Sequence, residues 1–244
     1  RLYVAAPSEW LMNVARESIL APAIQEGRVI WNGIDDAFFA PPSRLEARAE
    51  LGIDPEAVLL LFAANTVRAN EWKDFATVRN VAGIVAEKLV KRSVVLLILG
   101  DQAPEERIGK ARILSMPFQR DPSSVARCYA AADLYLHAAR AETFSLTIAE
   151  AQAVGTPVVA TAVGAVPERI RCAKRQKPEQ ATGFLVPPGD ADSMAQAVLA
   201  VLGDSQLALA LGENSRRHAE TSYRRDQQGK AYLDWFSELV GETS

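Results

Sequence analysis

The feature that most constrains this chain is a strand–loop–helix–strand unit in its second half. Leu134–Leu136 reads as a strand, Ser145–Val154 as a helix and Val158–Thr161 as a second strand. Gly155 follows the last apolar helical residue and Pro157 comes two residues later, which is typical of a helix end. Neither strand alternates apolar with polar residues, so both are expected to be buried on both faces. Such a unit forms a right-handed crossover in a parallel sheet.

The other apolar runs continue this alternation of strands and helices along the chain. Further strands are predicted at 2–6, 28–31, 58–63, 93–99, 113–116 and 184–186. Further helices are predicted at 8–24, 44–51, 73–91, 121–132, 192–202, 205–222 and 224–240. Strands that alternate with helices in this way predict an α/β fold built on a parallel sheet.

Two carboxylates flank the start of the central helix. Glu142 lies in the loop and Glu150 in the helix, whose side chains lean toward its N-terminus, so both can line one crevice. Between them, Phe144, Ser145 and Leu146 offer unpaired N–H groups and the positive end of the helix dipole to an anion. The site would combine a phosphate seat with two acceptors for sugar hydroxyls. On spacing alone, two solvated glutamates remain the alternative.

This region resembles the signature of family 4 glycosyltransferases, which use nucleotide sugars and have the GT-B fold. The matching residues read A-D-L-Y-L-H-A-A-R-A-E-T-F-S-L-T-I-A-E-A-Q-A-V-G-T-P-V-V-A-T. The family has two glutamates separated by seven residues, followed by a G-T-P-V-V-A-T strand. The resemblance covers nearly the whole chain after residue 7. It implies one half of a GT-B fold, which is a Rossmann-like parallel sheet with helices on both faces.

The resemblance also implies a role for each site residue. The enzyme would transfer a sugar from a nucleoside diphosphate sugar with retention of anomeric configuration. Glu142 would be the catalytic residue, contacting the sugar hydroxyls and facing the reacting carbon, while Glu150 would accept hydrogen bonds from the ribose diol. The sequence departs from the family at two glycine positions in and after this motif. Phe144-Ser145 stands where the family has Phe-Gly, and Ala165 replaces the second glycine of the V-G-A-V-P-E segment.

Arg68 and Lys73 flank the loop after the predicted strand at 58–63. An arginine that binds through two N–H groups and a mobile lysine suit a diphosphate. The family has Arg and Lys at the same separation, contacting the donor phosphates. Val67 stands where the family has a glycine, and an exposed loop cation is the alternative for Arg68. With these cations and the N–H groups of the helix start stabilising the leaving group, no metal or other cofactor is expected.

The first residues suggest a chain that begins inside a longer protein. The segment P-S-E-W-L-M, followed by R-V-I-W-N-G-I-D-D-A-F-F, resembles the family's passage from its first domain into its second. Residues 1–25 are therefore expected to be a remnant of a missing N-terminal domain, 26–222 the nucleotide-sugar-binding domain, and 223–244 a C-terminal crossover helix and tail. The acceptor, a sugar or a lipid-linked molecule, would bind the missing domain. The isolated fragment is therefore expected to be inactive.

Composition excludes several partner classes. The chain has 244 residues, of which 49% are hydrophobic and 23% charged, and a net charge of −3, as in an ordinary globular protein. This charge gives no reason to expect nucleic-acid binding, and the apolar runs are too short for a membrane span. Cys128 and Cys172 fit ordinary thiols in a reducing compartment. The expected location is the cytoplasm, with peripheral membrane association left open.

Two other classes of function stay open on the sequence. One is a GT-B relative that does not transfer sugar, such as a nucleotide-sugar epimerase or a phosphorylase. The other is a non-catalytic binding module. Three further residues carry weaker expectations: Phe118 follows a strand where the family places the nucleotide base, His137 reads as a core or rim histidine, and His218 is expected to be solvated.

Overall fold

The computed structural model describes residues 2–241 of the chain. Its strands are β1 (Leu2–Ala6), β2 (Ile24–Val29), β3 (Val58–Ala63), β4 (Val94–Leu99), β5 (Glu106–Ile108), β6 (Ala111–Met116), β7 (Leu134–His137), β8 (Val158–Thr161) and β9 (Gly183–Val186). Its α-helices are α1 (Glu9–Arg16), α2 (Arg44–Leu51), α3 (Phe75–Lys88), α4 (Pro122–Ala131), α5 (Leu146–Val154), α6 (Val166–Arg169), α7 (Ala191–Gly203), α8 (Ser205–Ser222) and α9 (Arg225–Val240). Short 3-10 turns occupy Ala21–Ala23, Asp36–Phe39 and Val67–Ala69.

The main sheet has seven strands in the order β5-β6-β4-β3-β7-β8-β9. Every neighbouring pair is parallel except the β5–β6 hairpin. All residues of β3, β4, β7 and β8 are buried, as the apolar runs within them predicted. The parallel sheet and the crossover from β7 through α5 to β8 are therefore confirmed.

Alternate residues of β3 point into two separate hydrophobic cores. Leu59 and Leu61 pack with residues of α2, α4 and α5 on one face of the sheet. Leu60 and Phe62 pack with residues of α3 and α7 on the other face. Each of these side chains contributes about 2 kcal/mol by leaving water. The structure is the predicted α/β fold, a Rossmann-like parallel sheet with helices on both faces.

The first helix is shorter than the sequence predicted. α1 ends at Arg16, and the chain then forms turns up to β2. The Ser18 hydroxyl donates to the carbonyl of Ala15, and Pro22 has no N–H with which to continue a helix. As a result β2 begins four residues before its predicted start. β5 was not predicted because three residues are too few to show a period.

β1 and β2 form a separate two-stranded parallel sheet, which α9 contacts. Trp235 is 2% exposed, and its Nε1 donates to Glu26 Oε1 over 3.0 Å. Arg28 forms an ion pair with Glu238. The predicted boundary at residue 25 falls inside β2. The N-terminal strands and the last helix are therefore packed against each other.

The division into residues 1–25, 26–222 and 223–244 stays a prediction, and residues 1 and 242–244 lie outside the described part of the chain. No single helix between residues 2 and 241 is long and apolar enough to cross a bilayer. The pair α7 and α8, bent by 102°, meets that criterion only when both helices are taken together, by length and composition alone.

Candidate functional site

Two adjoining pockets lie at the carboxyl ends of β3 and β7. Their volumes are about 310 and 300 Å³. Both border on Ala63, Ala64 and Asn65 at the carboxyl end of β3 and on Leu146 and Thr147 at the start of α5. Glu150 lines the first pocket and Glu142 the second, so the two glutamates face adjoining parts of one cleft. A groove of about 900 Å³ lies at the opposite ends of β7 and β8 and contains none of the predicted site residues.

The carboxylate of Glu142 is held by four hydrogen-bond donors. Its Oε1 accepts from the N–H groups of Thr143, at 3.1 Å, and Ser145, at 3.2 Å. Its Oε2 lies 2.9 Å from Lys73 Nζ and 3.3 Å from His137 Nε2. A carboxylate has about four acceptor positions, so this one is saturated. This second pocket, called the polar pocket below, is thus built around a fixed anion.

Charge states in this cluster follow from burial and pairing. Burial alone would raise the pKa of Glu142, but the hydrogen bond with His137 and the Lys73 ammonium outweigh it and hold that pKa well below its usual range. Burial lowers the pKa of His137. At neutral pH the cluster therefore holds an ionised carboxylate beside a neutral imidazole.

The loop before α6 fixes the backbone of Glu142. The N–H of Ala165 donates to the Glu142 carbonyl over 2.9 Å. Gly164 has φ +51°, and a Cβ there would lie 2.0 Å from that same oxygen. Ala165 has φ −81°, which any residue adopts, so alanine fits where the family has its second glycine.

Ser145 occupies a strained backbone position at the N-cap of α5. Its φ and ψ are +69° and +83°, in the left-handed region that glycine adopts far more readily. Its hydroxyl accepts a hydrogen bond from the N–H of Ile148 at 3.4 Å, while its own N–H is taken by Glu142. The N–H groups of Leu146 and Thr147 have no intrahelical acceptor and border the polar pocket. The anion seat therefore consists of these two groups, without the N–H of Ser145.

Phe144 borders the pocket, but its side chain belongs to the core. It is 2% exposed and meets the ring of Tyr223 edge to face. The guanidinium of Arg169 lies over its ring, 4.7 Å from the centroid. Phe144 can therefore offer its backbone, and not its ring, to a ligand.

The other pocket is mainly apolar and contains Glu150. Tyr129 donates its hydroxyl hydrogen to Glu150 Oε2 over 2.9 Å. Burial raises the pKa of Glu150 to about 7, and the hydrogen bond from Tyr129 only partly counters this. Phe118 is 62% exposed at the rim. The apolar side chains of the lining include Ile34, Phe38, Leu99 and Val125.

The structure does not bring Arg68 to the rest of the cluster. Its guanidinium forms ion pairs with Asp101 at 2.8 Å and Glu106 at 2.7 Å, and lies over the ring of Phe75. Lys73, by contrast, lies in the polar pocket. A contact between Arg68 and a diphosphate stays a prediction.

Several site residues were missed or interpreted differently at the level of sequence. Asn65 lies two residues after the end of β3, a position where parallel sheets bind ligands, and this signal could have identified it. Tyr129 lies within a helix and offered no signal. His137 is buried as expected but also touches Glu142. His218 is half-buried against Trp31, so the expectation that it is solvated was wrong.

Within residues 2–241, no group of three or more His, Cys, Asp or Glu side chains is arranged to hold a metal ion. The segment Asp190-Ala191-Asp192 has two aspartates one residue apart, but the carboxylate of Asp190 accepts from the N–H of Ser193 and caps α7.

Curated relatives match this chain over most of its length. It is 31% identical over 204 residues to a D-inositol 3-phosphate glycosyltransferase of Actinosynnema mirum, covering 78% of this chain and 47% of the relative. It is 27% identical over 232 residues to an N-acetyl-alpha-D-glucosaminyl L-malate synthase of Bacillus anthracis, covering 92% and 56%. The chain spans about half the length of the curated relatives it matches.

Solved structures share the fold. Sucrose-phosphate synthase of Thermosynechococcus elongatus superposes with a TM-score of 0.76 at 24% identity, over 99% of this chain and 59% of the other. Anabaena Alr3699/HepE in complex with UDP-glucose gives 0.76 at 20% identity, over 97% and 64%. At these identities the likeness concerns the fold, which is one half of a GT-B fold. A family model for group 1 glycosyl transferases matches residues 57–204, more than half of the chain. The chain belongs to the group 1 glycosyltransferase family.

Proposed function

We propose that this chain is the donor-binding half of a retaining glycosyltransferase, which transfers a sugar from a nucleoside diphosphate sugar to an acceptor. The observation that carries this proposal is the pairing of the two pockets. One is apolar and has a partly buried carboxylate, the other is polar and charged, and the first turn of α5 lies between them. A nucleoside diphosphate sugar has its nucleoside, its diphosphate and its sugar in the same order as the apolar pocket, the start of α5 and the polar pocket.

Each part of the donor has a matching group in the cleft. The base would enter the apolar pocket beside Phe118, and the ribose diol would donate to Glu150. The diphosphate would accept from the N–H groups of Leu146 and Thr147 and attract Lys73. The sugar would lie in the polar pocket, where Glu142 would be the catalytic residue. Lys73 and the N–H groups of Leu146 and Thr147 would stabilise the negative charge that develops on the leaving diphosphate.

The remaining parts of the proposal concern the whole enzyme. Lys73 and the N–H groups at the start of α5 would stabilise the leaving group, so the proposed reaction needs no metal. The acceptor, a sugar or a lipid-linked molecule, would bind a further N-terminal domain, and this chain alone would therefore be inactive. Both cysteines are free and buried, which suits the cytoplasm. Retention predicts that an α-linked donor yields an α-linked product, which NMR of the product would show.

Thermal shifts with UDP, GDP and ADP, and with their sugar conjugates, test donor binding. The matching nucleotide should raise the melting temperature by mass action. Lys73→Ala should reduce that ligand-induced shift, because the diphosphate loses its mobile cation. Lys88→Ala, which changes an exposed lysine at the end of α3, is the matched control and should leave the shift intact. No shift with any nucleotide would contradict the proposed function, and an equal shift in both variants would contradict the role of Lys73.

A further inference from the structure

His137, one of the hydrogen-bond donors to Glu142, has no part in the function proposed above. His137 ends β7, and its side chain is 1% exposed. Its Nε2 lies 3.3 Å from Glu142 Oε2 and 3.5 Å from Lys73 Nζ. A buried imidazole thus touches both charged groups of the polar pocket.

The contact with Glu142 selects one tautomer of His137. With hydrogen on Nε2, the ring donates a charge-assisted hydrogen bond to the carboxylate. With hydrogen on Nδ1, the Nε2 lone pair could accept from Lys73 Nζ at 3.5 Å, but it would face the ionised Oε2 of Glu142 at the shorter distance of 3.3 Å, which is repulsive. The ring is neutral because burial lowers its pKa. The Nε2–H tautomer is therefore the favoured one.

Lys73 and His137 both donate hydrogen bonds to Oε2 of Glu142, but a bound nucleotide sugar would affect them differently. Lys73 Nζ is mobile, and the diphosphate proposed to bind at the start of α5 would compete with Glu142 for it. Oε2 would then lose its shortest hydrogen bond and gain one free acceptor position. His137 is fixed in the core and would stay in place, as would the N–H groups of Thr143 and Ser145 on Oε1.

We propose that His137 is a positioning residue, which holds the Glu142 carboxylate in place so that the acceptor position released by Lys73 is presented to a hydroxyl of the donor sugar. The inference rests on the proposed function. His137 does not touch the nucleotide. It therefore contributes to the additional affinity that the sugar provides, and little to the affinity for the nucleoside diphosphate alone.

The test compares the two affinities in matched variants by titration calorimetry. The quantity measured is the ratio of the Kd for the nucleoside diphosphate to the Kd for its sugar conjugate. The ligand pairs are UDP with UDP-glucose, GDP with GDP-mannose, and ADP with ADP-glucose, and the pair that binds is used. In His137→Gln the amide nitrogen lies near the position of Nε2. In His137→Asn it lies nearer to Nδ1, out of reach of Glu142.

The Gln variant should keep the ratio within about twofold, and the Asn variant should lower it about tenfold, as expected for a lost hydrogen bond to a charged group. Tyr129→Phe is the control on the other side of the cleft. It acts through Glu150 and should weaken both ligands equally, leaving the ratio unchanged. An unchanged ratio in His137→Asn would overturn the inference. Equal weakening of both ligands by that variant would show a purely structural role and would overturn it too.

A second measurement separates this inference from the proposed function. Long-range ¹H–¹⁵N NMR of the labelled chain without nucleotide reads the imidazole tautomer directly. The Nε2–H form is expected, and an Nδ1–H form would overturn the inference whether or not any ligand binds. If the unsubstituted chain instead binds none of the three nucleotide pairs, the proposed function is refuted, together with the sugar-positioning role that rests on it.

Discussion

Glu142 and Glu150 lie in one cleft, but their pKa values are shifted in opposite directions. Glu142 is surrounded by donors and ionises far below neutral pH, whereas burial raises the pKa of Glu150 to about 7. Pairs of acids whose pKa values are separated in this way are typical of functional sites. The cleft keeps one carboxylate permanently charged and leaves the other able to take up a proton near physiological pH.

Glu150 should destabilise the free protein at high pH. Its native pKa of about 7 exceeds the ordinary value of 4.5, so the native state binds more protons than the unfolded state between those values. Stability therefore falls as the pH rises from 4.5 to 7, and the full penalty, about 3 kcal/mol at most, applies above pH 7. Glu150→Gln should remove it.

We expect Glu150→Gln to raise the free energy of unfolding by about 2 kcal/mol at pH 8 and by close to zero at pH 4. Urea titrations at several pH values measure this difference. The same variant should bind nucleotide more weakly, because its amide is a poorer acceptor for the ribose diol. A stability difference that does not change with pH would show that burial of charge is not its cause.

At the level of elements, the start of α5 depends on a loop from elsewhere in the chain. The segment between β8 and α6 lies against the Glu142 backbone, with the N–H of Ala165 on the Glu142 carbonyl. The loop leads into α6, where the carboxylate of Glu168 accepts from the N–H groups of Glu9 and Trp10 at the start of α1. One short connection thus supports both the site loop and the first helix.

Gly164→Ala should therefore damage the site. A Cβ would lie 2.0 Å from the Glu142 carbonyl oxygen at a φ of +51°, so the loop must move. We expect a loss of about 3 kcal/mol in stability and a clear loss of nucleotide binding. Gly52→Ala is the control: its φ is +64°, but no atom lies within 4 Å of the added carbon, so only about 1 kcal/mol should be lost. Equal effects of the two changes in urea unfolding would argue against the clash.

At the level of the whole molecule, the N-terminal strands are tied to the main domain from two sides. The Ser8 hydroxyl donates to the carbonyl of Thr143, beside Glu142, over 2.7 Å. On the other side, Trp235 of α9 binds Glu26 of β2. The first contact lies next to the polar pocket, so the position of α1 is linked to the loop that carries Glu142.

Trp235→Ala should loosen this attachment. The side chain is 2% exposed, and its removal leaves a cavity and takes away one of the two donors to Glu26 Oε1, the other being Arg28 Nε. We therefore expect a loss of about 3 kcal/mol in the free energy of unfolding. Phe236→Ala, at the adjacent position, removes a ring that is 52% exposed and should change stability by less than about 1 kcal/mol. Urea unfolding with proteolysis near β1 and β2 measures both effects. If both variants lose the same stability, the contact between Trp235 and Glu26 is not what holds β1 and β2 against α9.

The sequence by itself determined the parallel sheet, most of its helices and the family. These depend on local signals: the apolar runs of β3 and β4, the Gly155 stop, and one continuous motif holding both glutamates. It could not determine which side chains pair across the cleft. Lys73 and Glu142 are 69 residues apart and meet only because β3 and β7 are neighbours in the sheet.

Only the tertiary structure decided that Arg68 binds Asp101 and Glu106, that β2 joins β1 outside the main sheet, and that His137 contacts Glu142. The physical reason is the same in each case. A local pattern reports which face of an element is buried, whereas the partner that a polar group finds depends on strand order and on competition among several donors at one place in the fold.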